Sequence, residues 1–156
     1  MTEVRIATPA DRDGMISLLH LMYEENGVAE LSVPKMLVAL DRGLARDKAI
    51  IGVVGEPNNI KAAIGLYASA WWYSDEIHLE DYFNFVRKDC RKSTYGKDLL
   101  SFAKKASDDL KIQLLIGILS NERTQAKVKL YERFFGPSAG AGFCYPDPQQ
   151  GKRVSA

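Results

Sequence analysis

Cysteine is scarce in this sequence, long apolar runs are missing, and neither sign of charge dominates. The 156 residues contain two cysteines, Cys90 and Cys144, far apart in the chain. Two distant cysteines make neither a disulfide framework nor a metal-ligand spacing, so no metal site is expected. A reduced, cytoplasmic setting is the simplest expectation. No apolar stretch approaches the ~20 residues that a bilayer span needs. The opening Met-Thr-Glu-Val-Arg-Ile has no apolar signal core. Lys and Arg number 21 against 20 Asp and Glu, for a net charge of +1. That balance removes any global argument for nucleic acid or an acidic surface as partner. Internal repeats, low-complexity blocks and linkers are also missing.

What is present is ordinary for a soluble globular chain: 46% hydrophobic and 26% charged residues. The length suits one domain with a sizeable core, expected over residues 1–146, with a polar tail from 147 to 156. Val4 to Ala7 reads as a short strand. Thr8, Pro9 and Asp11 then form a helix start, and Met15, Leu18, Leu19 and Met22 follow at helical spacing up to Asn26-Gly27. Ser32 and Pro34 open a second helix carrying Met36, Leu37, Leu40 and Leu44.

Ala49 to Val54 and Ile60 to Trp72 are apolar strands joined by the turn Glu56-Pro57-Asn58-Asn59. Tyr73 to Asp75 forms a second turn. Ile77 to Val86 alternates. Ile77, Leu79, Phe83 and Phe85 are expected on one face, with Asp81 the exception, and Glu76, His78, Glu80, Tyr82 and Asn84 on the other. An amphipathic helix carries Leu99, Phe102, Ala103, Ala106 and Leu110. Leu114 to Leu119 is a buried strand, Asn121 to Phe135 a last helix, Gly136 to Gly142 a small-residue loop and Phe143 to Tyr145 a final strand. The order β-α-α-β-β-β-α-β-α-β implies an α/β fold, with a mixed, mostly antiparallel central sheet flanked by helices. Its strand–helix–strand unit from Ile77 to Leu119 implies a parallel pair.

The stretch Val86-Arg87-Lys88-Asp89-Cys90-Arg91-Lys92-Ser93-Thr94-Tyr95-Gly96-Lys97 carries the chemistry. A strand runs into a basic loop, and the loop opens a helix. Free backbone N–H groups, a helix dipole and several cations meet there, which suits a phosphorylated ligand. A solvated charge cluster or a nucleic-acid contact would use the same cations, but their concentration at one helix N-terminus favours the phosphate. A Walker loop is excluded, because Gly96-Lys97 is followed by Asp98 and Arg91 holds the first glycine position. A dinucleotide fingerprint is excluded too, because only one glycine is present.

Val86, Asp89, Arg91, Gly96, Leu99 and Leu100 fit the pattern Arg-x-x-Gly/Ala-x-Gly/Ala after a strand ending in valine. Downstream, Asn121 and then Leu130-Tyr131-Glu132-Arg133 form a second pattern. Together these motifs resemble the GNAT superfamily of acyl-CoA-dependent N-acetyltransferases, over roughly residues 3 to 145. The departures are Lys92, and Thr94 where relatives carry Gly or Ala. A β-branched Thr94 crowds an approaching pyrophosphate, or its hydroxyl donates to a phosphate oxygen.

The resemblance implies transfer of an acetyl or similar acyl group from acetyl-CoA to a primary amine by direct attack in a ternary complex. Arg91, Lys92, Ser93, Thr94, Tyr95, Gly96 and Lys97 would hold the diphosphate. Phe85, Val86 and Asn121 would position the pantetheine arm, and Tyr131 would protonate the leaving thiolate. Tyr131 also lies on the apolar stripe of its helix, a place that suits packing. Glu76, His78 and Glu80 share a polar strand face, and Glu80, then His78, is the candidate for assisting deprotonation. That face also suits plain solvation. His20 reads as a helix-surface residue. Basic neighbours can activate the Cys90 thiol, but direct transfer needs no cysteine.

An acylating enzyme is the expectation. A domain with reduced catalysis, binding CoA or a protein partner, is the alternative. The partner would be an amine-bearing small molecule or peptide, with no nucleic acid and no membrane. Glu24, Glu25, Asp75 and Glu76 would favour a cationic acceptor. Trp71, Trp72 and Tyr73 can cover the sheet, line an acceptor pocket or form a homodimer contact.

Overall fold

A computed structural model describes residues 2–121 and 123–147. Among them the elements run β1 (Arg5–Ile6), α1 (Arg12–Asn26), α2 (Val33–Leu44), β2 (Ala49–Glu56), β3 (Asn59–Ala70), β4 (Ile77–Val86), α3 (Tyr95–Leu110), β5 (Leu114–Leu115) and α4 (Thr124–Phe135). The sheet order is β1-β2-β3-β4-β5. The first four strands pair antiparallel, and β4 pairs β5 in parallel. The mixed, mostly antiparallel sheet with flanking helices is thus the architecture expected from the sequence.

Local chemistry starts the helices where the sequence places them. Asp11 is fully buried and accepts the Thr8 N–H at 2.8 Å. It also takes a two-pronged pair of bonds from Arg5 at 2.8 and 2.6 Å, which makes its burial tolerable. Ser32 caps α2 by accepting the Lys35 N–H, with Pro34 in the first turn. Met15, Leu18 and Leu40 then pack with Ile51, Val53, Phe83 and Phe85 on one face of the sheet. Leu99 and Ala103 of α3 pack with Ala62, Ile64, Leu66 and Leu79 on the other.

Strand β4 departs from simple alternation. Gly65 pairs with Phe83 and Leu66 with Asp81, so Tyr82 is an extra residue bulged between them. The bulge reverses the parity of the strand. Leu79 belongs to the α3-side core, whereas Phe83 and Phe85 belong to the α1–α2 side. The expected single apolar face of Ile77, Leu79, Phe83 and Phe85 is therefore corrected, and Ile77 is itself exposed. Gly65 makes the distortion fit: a Cβ there would lie 2.5 Å from the Phe83 ring.

Strand β5 is shorter than the expected Leu114–Leu119. Pairing stops after Leu79–Leu114 and Glu80–Leu115, and the Gly117 N–H goes to the Asp81 side chain at 2.9 Å. Beyond that point the chain leaves β4, and the edge of β4 from Tyr82 to Val86 has no strand beside it among the described residues. The final strand expected at Phe143–Tyr145 is likewise not formed. With β5 turned away after two residues, no long edge is offered there, and Phe143 and Tyr145 are almost fully exposed. The expected tail lies outside the described residues from 148 onward. No helix among the described residues is long and apolar enough to cross a membrane.

Candidate active site

The parting of β4 from the segment after β5 opens a cleft of about 750 Å³. Asp81 and Asn84 line it from β4, Gly117 and Ser120 from the departing segment, Tyr131 from α4, and Met22 from α1. Asp81 and Asn84 pair across the sheet with Leu66 and Ile64, which are core residues of the α3 side, so both carboxyl and amide turn toward α3 and α4.

Tyr131 sits in the cleft and not simply in the core. Its hydroxyl accepts an N–H from Asn84 at 2.7 Å, which leaves its own proton to give. Burial, and then the negative charge of Asp81, push its phenol well above its ordinary range. It is therefore a protonated acid at neutral pH. Asp81 is desolvated as well. Burial lifts its carboxyl to about 6, against the opposing bond from Gly117.

Glu80 lies on the opposite face of β4. It receives the Tyr67 hydroxyl and, at 2.7 Å, the Nε2 of His78. The Tyr67 bond, then the His78 bond, hold its carboxyl below the ordinary range, and the Tyr67 phenol rises to about 12 in response. His78 is buried and stacked on Trp71 with ring centres 4.2 Å apart, and its Nδ1 has no hydrogen-bond partner among the described residues.

On this same face, a second and largely apolar pocket of about 430 Å³ lies under the α1–α2 connection. Leu19, Met36 and Leu40 line it. Met22, Tyr23, Tyr82 and Phe83 line both it and the cleft, so the two are neighbours along β4.

The basic loop leads from β4 into α3, as the sequence indicates, but its side chains are partly committed. Arg87 binds Asp89 at 2.7 and 2.8 Å and Asn59 at 2.8 Å. Arg91 turns inward to the Val86 carbonyl and to Glu25 of α1, with its guanidinium 5.7 Å from the centre of the Phe85 ring. Lys88, Lys92 and Lys97 are exposed and make no ion pair among the described residues. Thr94 donates its hydroxyl to Asp98 at 2.7 Å.

Ser93 bonds the Cys90 carbonyl and accepts the Tyr95 N–H, while the Tyr95 ring packs against the α3-side core. The first-turn N–H groups of Gly96 and Lys97 have no acceptor within the helix. A Cβ at Gly96 would meet only Leu130, at 3.8 Å, so its backbone stays open to a close ligand. Cys90 is not activated: burial, then Asp89, raise its thiol above the ordinary value. Asn121 binds the Glu25 carbonyl at 3.0 Å through its side chain, fastening the departing segment to the end of α1.

Solved structures share this fold. A possible acetyltransferase from Clostridium difficile 630 matches with TM-score 0.70 and 18% identity over 93% of this chain and 96% of that one. A ribosomal-protein-alanine N-acetyltransferase from Brucella melitensis biovar Abortus 2308 matches with TM-score 0.65 and 13% identity over 91% and 96%. An aminoglycoside acetyltransferase from an uncultured soil metagenomic sample, in complex with sisomicin, matches with TM-score 0.65 and 15% identity over 92% of each chain.

The chain has the GNAT acetyltransferase fold. No protein-family model matches the sequence, and no curated protein is significantly similar to it. Within this GNAT fold, the structure brings Tyr131, Val86 and the α3 N-terminus to the α3–α4 side of β4, while the Phe85 side chain stays in the α1–α2 core. Glu80 and His78 stand on the other face of β4. Sequence reasoning missed Asn84 and Asp81 as cleft residues. The available signal was Asp81 itself, a charge at a position expected to be apolar.

Proposed function

We propose that this protein transfers an acyl group from an acyl-CoA, with acetyl-CoA the simplest case, to a primary amine within a ternary complex. The observation that carries the reading is the parted β4–β5 pair with Tyr131 beside it. It lies on a fold shared with acetyltransferases. The unpaired edge of β4 around Val86 offers backbone groups that suit the amides of a pantetheine arm once Arg91 releases the Val86 carbonyl. The open first turn of α3 around Gly96, with exposed Lys92 and Lys97 nearby, suits the diphosphate. Tyr131 is then a proton donor for the thiolate that leaves when the amine attacks the thioester carbon.

Glu80 and His78 border the α1–α2 side, next to the apolar pocket, from which the acceptor would approach. The pocket supports an amine with an apolar body. Of the acidic residues that favoured a cationic acceptor, Glu25 is engaged with Arg91, while Glu24, Asp75 and Glu76 are exposed.

The test begins with the melting temperature of the protein in excess acetyl-CoA. A ligand at a hundredfold its Kd stabilises the folded state by about 2.7 kcal/mol, so no upward shift removes the proposal. Thiol release from acetyl-CoA is then followed across a panel of primary amines. The Arg91–Glu25 pair and the Thr94–Asp98 bond favour a second reading, a domain that binds CoA without turning it over. A thermal shift with no thiol release on any amine would select it.

A further inference from the structure

Acyl transfer to an amine removes a proton from nitrogen and gives one to sulfur, so Tyr131 must regain the proton it loses. Glu80 is poorly placed for either task. It lies on the opposite face of β4 from Tyr131, and two donors hold it as an anion. Asp81 is placed differently. The Tyr82 bulge leaves it facing the cleft with Asn84 and Tyr131, at the closed end where β4 and β5 part. Its Oδ1 accepts the Gly117 N–H, and no side chain among the described residues donates to it.

We propose that Asp81 accepts the nitrogen proton during acyl transfer and passes it on to Tyr131. The inference rests on the acyl-transfer reading. From a neutral amine, the nitrogen lone pair forms the N–C bond and a nitrogen proton goes to the Asp81 carboxylate. The C–S bond breaks with its electron pair on sulfur, and sulfur takes the phenolic proton of Tyr131. The tyrosinate then takes the proton held by Asp81. Both side chains finish as they began, and the products are an amide and free thiol. An amine that arrives as ammonium loses its first proton to solvent.

Asp81 must be ionised to act, and burial places its titration near 6, within a usable range. The titratable groups lining the cleft with Asp81 are Tyr82 on β4, Tyr23 on α1, Lys127 and Tyr131 on α4, and Cys144 in the loop after α4, and Glu80, on the other face of β4, acts on Asp81 through its charge. Lys127 is engaged with Ser120.

The experiment measures kcat/KM against pH with acetyl-CoA and whichever of phenethylamine, spermidine and an alanine-initiated peptide turns over fastest. Protonation of the amine gives a slope of one on the acid side, and Asp81 adds a second below about pH 6. Asp81→Asn is expected to lose that second slope and to lower kcat on the order of a hundredfold or more, with the acetyl-CoA thermal shift retained. Asp81→Glu is expected to restore part of both. A wild-type slope of one throughout overturns the inference, as does a second slope that survives in Asp81→Asn. Either result leaves acyl transfer standing. Absence of turnover with all three amines overturns the inference together with the reading beneath it.

Discussion

Glu80 and Asp81 are peptide neighbours on β4, yet one carboxyl is held below its ordinary range and the other is lifted to about 6. The two faces of the strand account for the difference. On the α1–α2 face, the carboxylate meets two donors, Tyr67 and His78. On the α3–α4 face, it meets a backbone N–H and a desolvated cleft. Donors favour the charge and desolvation opposes it. A face with two side-chain donors makes a fixed anion that orders its surroundings, and a face with one backbone donor and strong desolvation makes a group that can exchange a proton near neutral pH.

The largest test of this comparison removes the acid on the cleft side. Tyr131→Phe keeps the ring and deletes the proton. A fall in kcat on the order of 10²–10⁴ is expected from loss of a general acid, with little change in the acetyl-CoA thermal shift. A variant with unaltered kcat would assign Tyr131 to packing alone.

The bulge that separates the two faces is broken next. Gly65→Val drives a side chain into the Phe83 ring, since even a Cβ would lie 2.5 Å away. A loss of about 2 kcal/mol in urea unfolding is expected, in line with overpacking elsewhere, with activity falling as β4 shifts. A neutral result would show that the bulge forms without the space Gly65 provides.

The two carboxyls themselves give opposite signs. The folded-state pKa of Asp81 is raised, so its contribution to stability is fully present below its unfolded value and is lost as pH rises through about 6. Asp81→Asn is therefore expected to stabilise the ligand-free protein at pH 8, by roughly 1–2 kcal/mol after allowing for water in the cleft. At pH 4 it is expected to change little. The folded-state pKa of Glu80 is lowered, so its contribution is present above its unfolded value and is lost as pH falls through the folded one. Glu80→Gln is expected to destabilise at pH 8 by about 1 kcal/mol through weaker bonds to Tyr67 and His78. Thermal melts at the two pH values check both, and equal signs would dissolve the distinction.

The smallest effect is expected at the mouth of the cleft. Glu25→Gln removes one of the partners that hold Arg91 inward, so acetyl-CoA should bind more tightly, by a factor on the order of five, or about 1 kcal/mol. Calorimetric titration reads this directly. Weaker binding would mean that Glu25 holds Arg91 in its working position.

Much of the fold was legible because it follows from local rules. Thr8, Pro9 and Asp11 start the first helix region as their types require, and Ser32 caps the second. The apolar runs of β2 and β3 marked buried strands, and the single pair of ordered motifs placed Tyr131 on the last helix. The direction of each β4 side chain was less legible. A period of two holds only while the ladder is regular, and the extra residue at Tyr82 is specified by Gly65 and Leu66 on the neighbouring strand. The inward turn of Arg91 was not legible either, because Glu25 lies 66 residues away in the chain.

By itself, the sequence determined the order of elements, the two apolar helix faces, the basic loop at the start of α3 and the helix that carries Tyr131. These depend on spacing, capping and charge among near neighbours. The tertiary structure decided where β4 and β5 part, which carboxyl shares the cleft with Tyr131, and that residues 143–145 add no strand. Those outcomes depend on pairing between strands and on burial, where a single glycine opposite a bulge or one backbone N–H drawn to Asp81 redirects the chain.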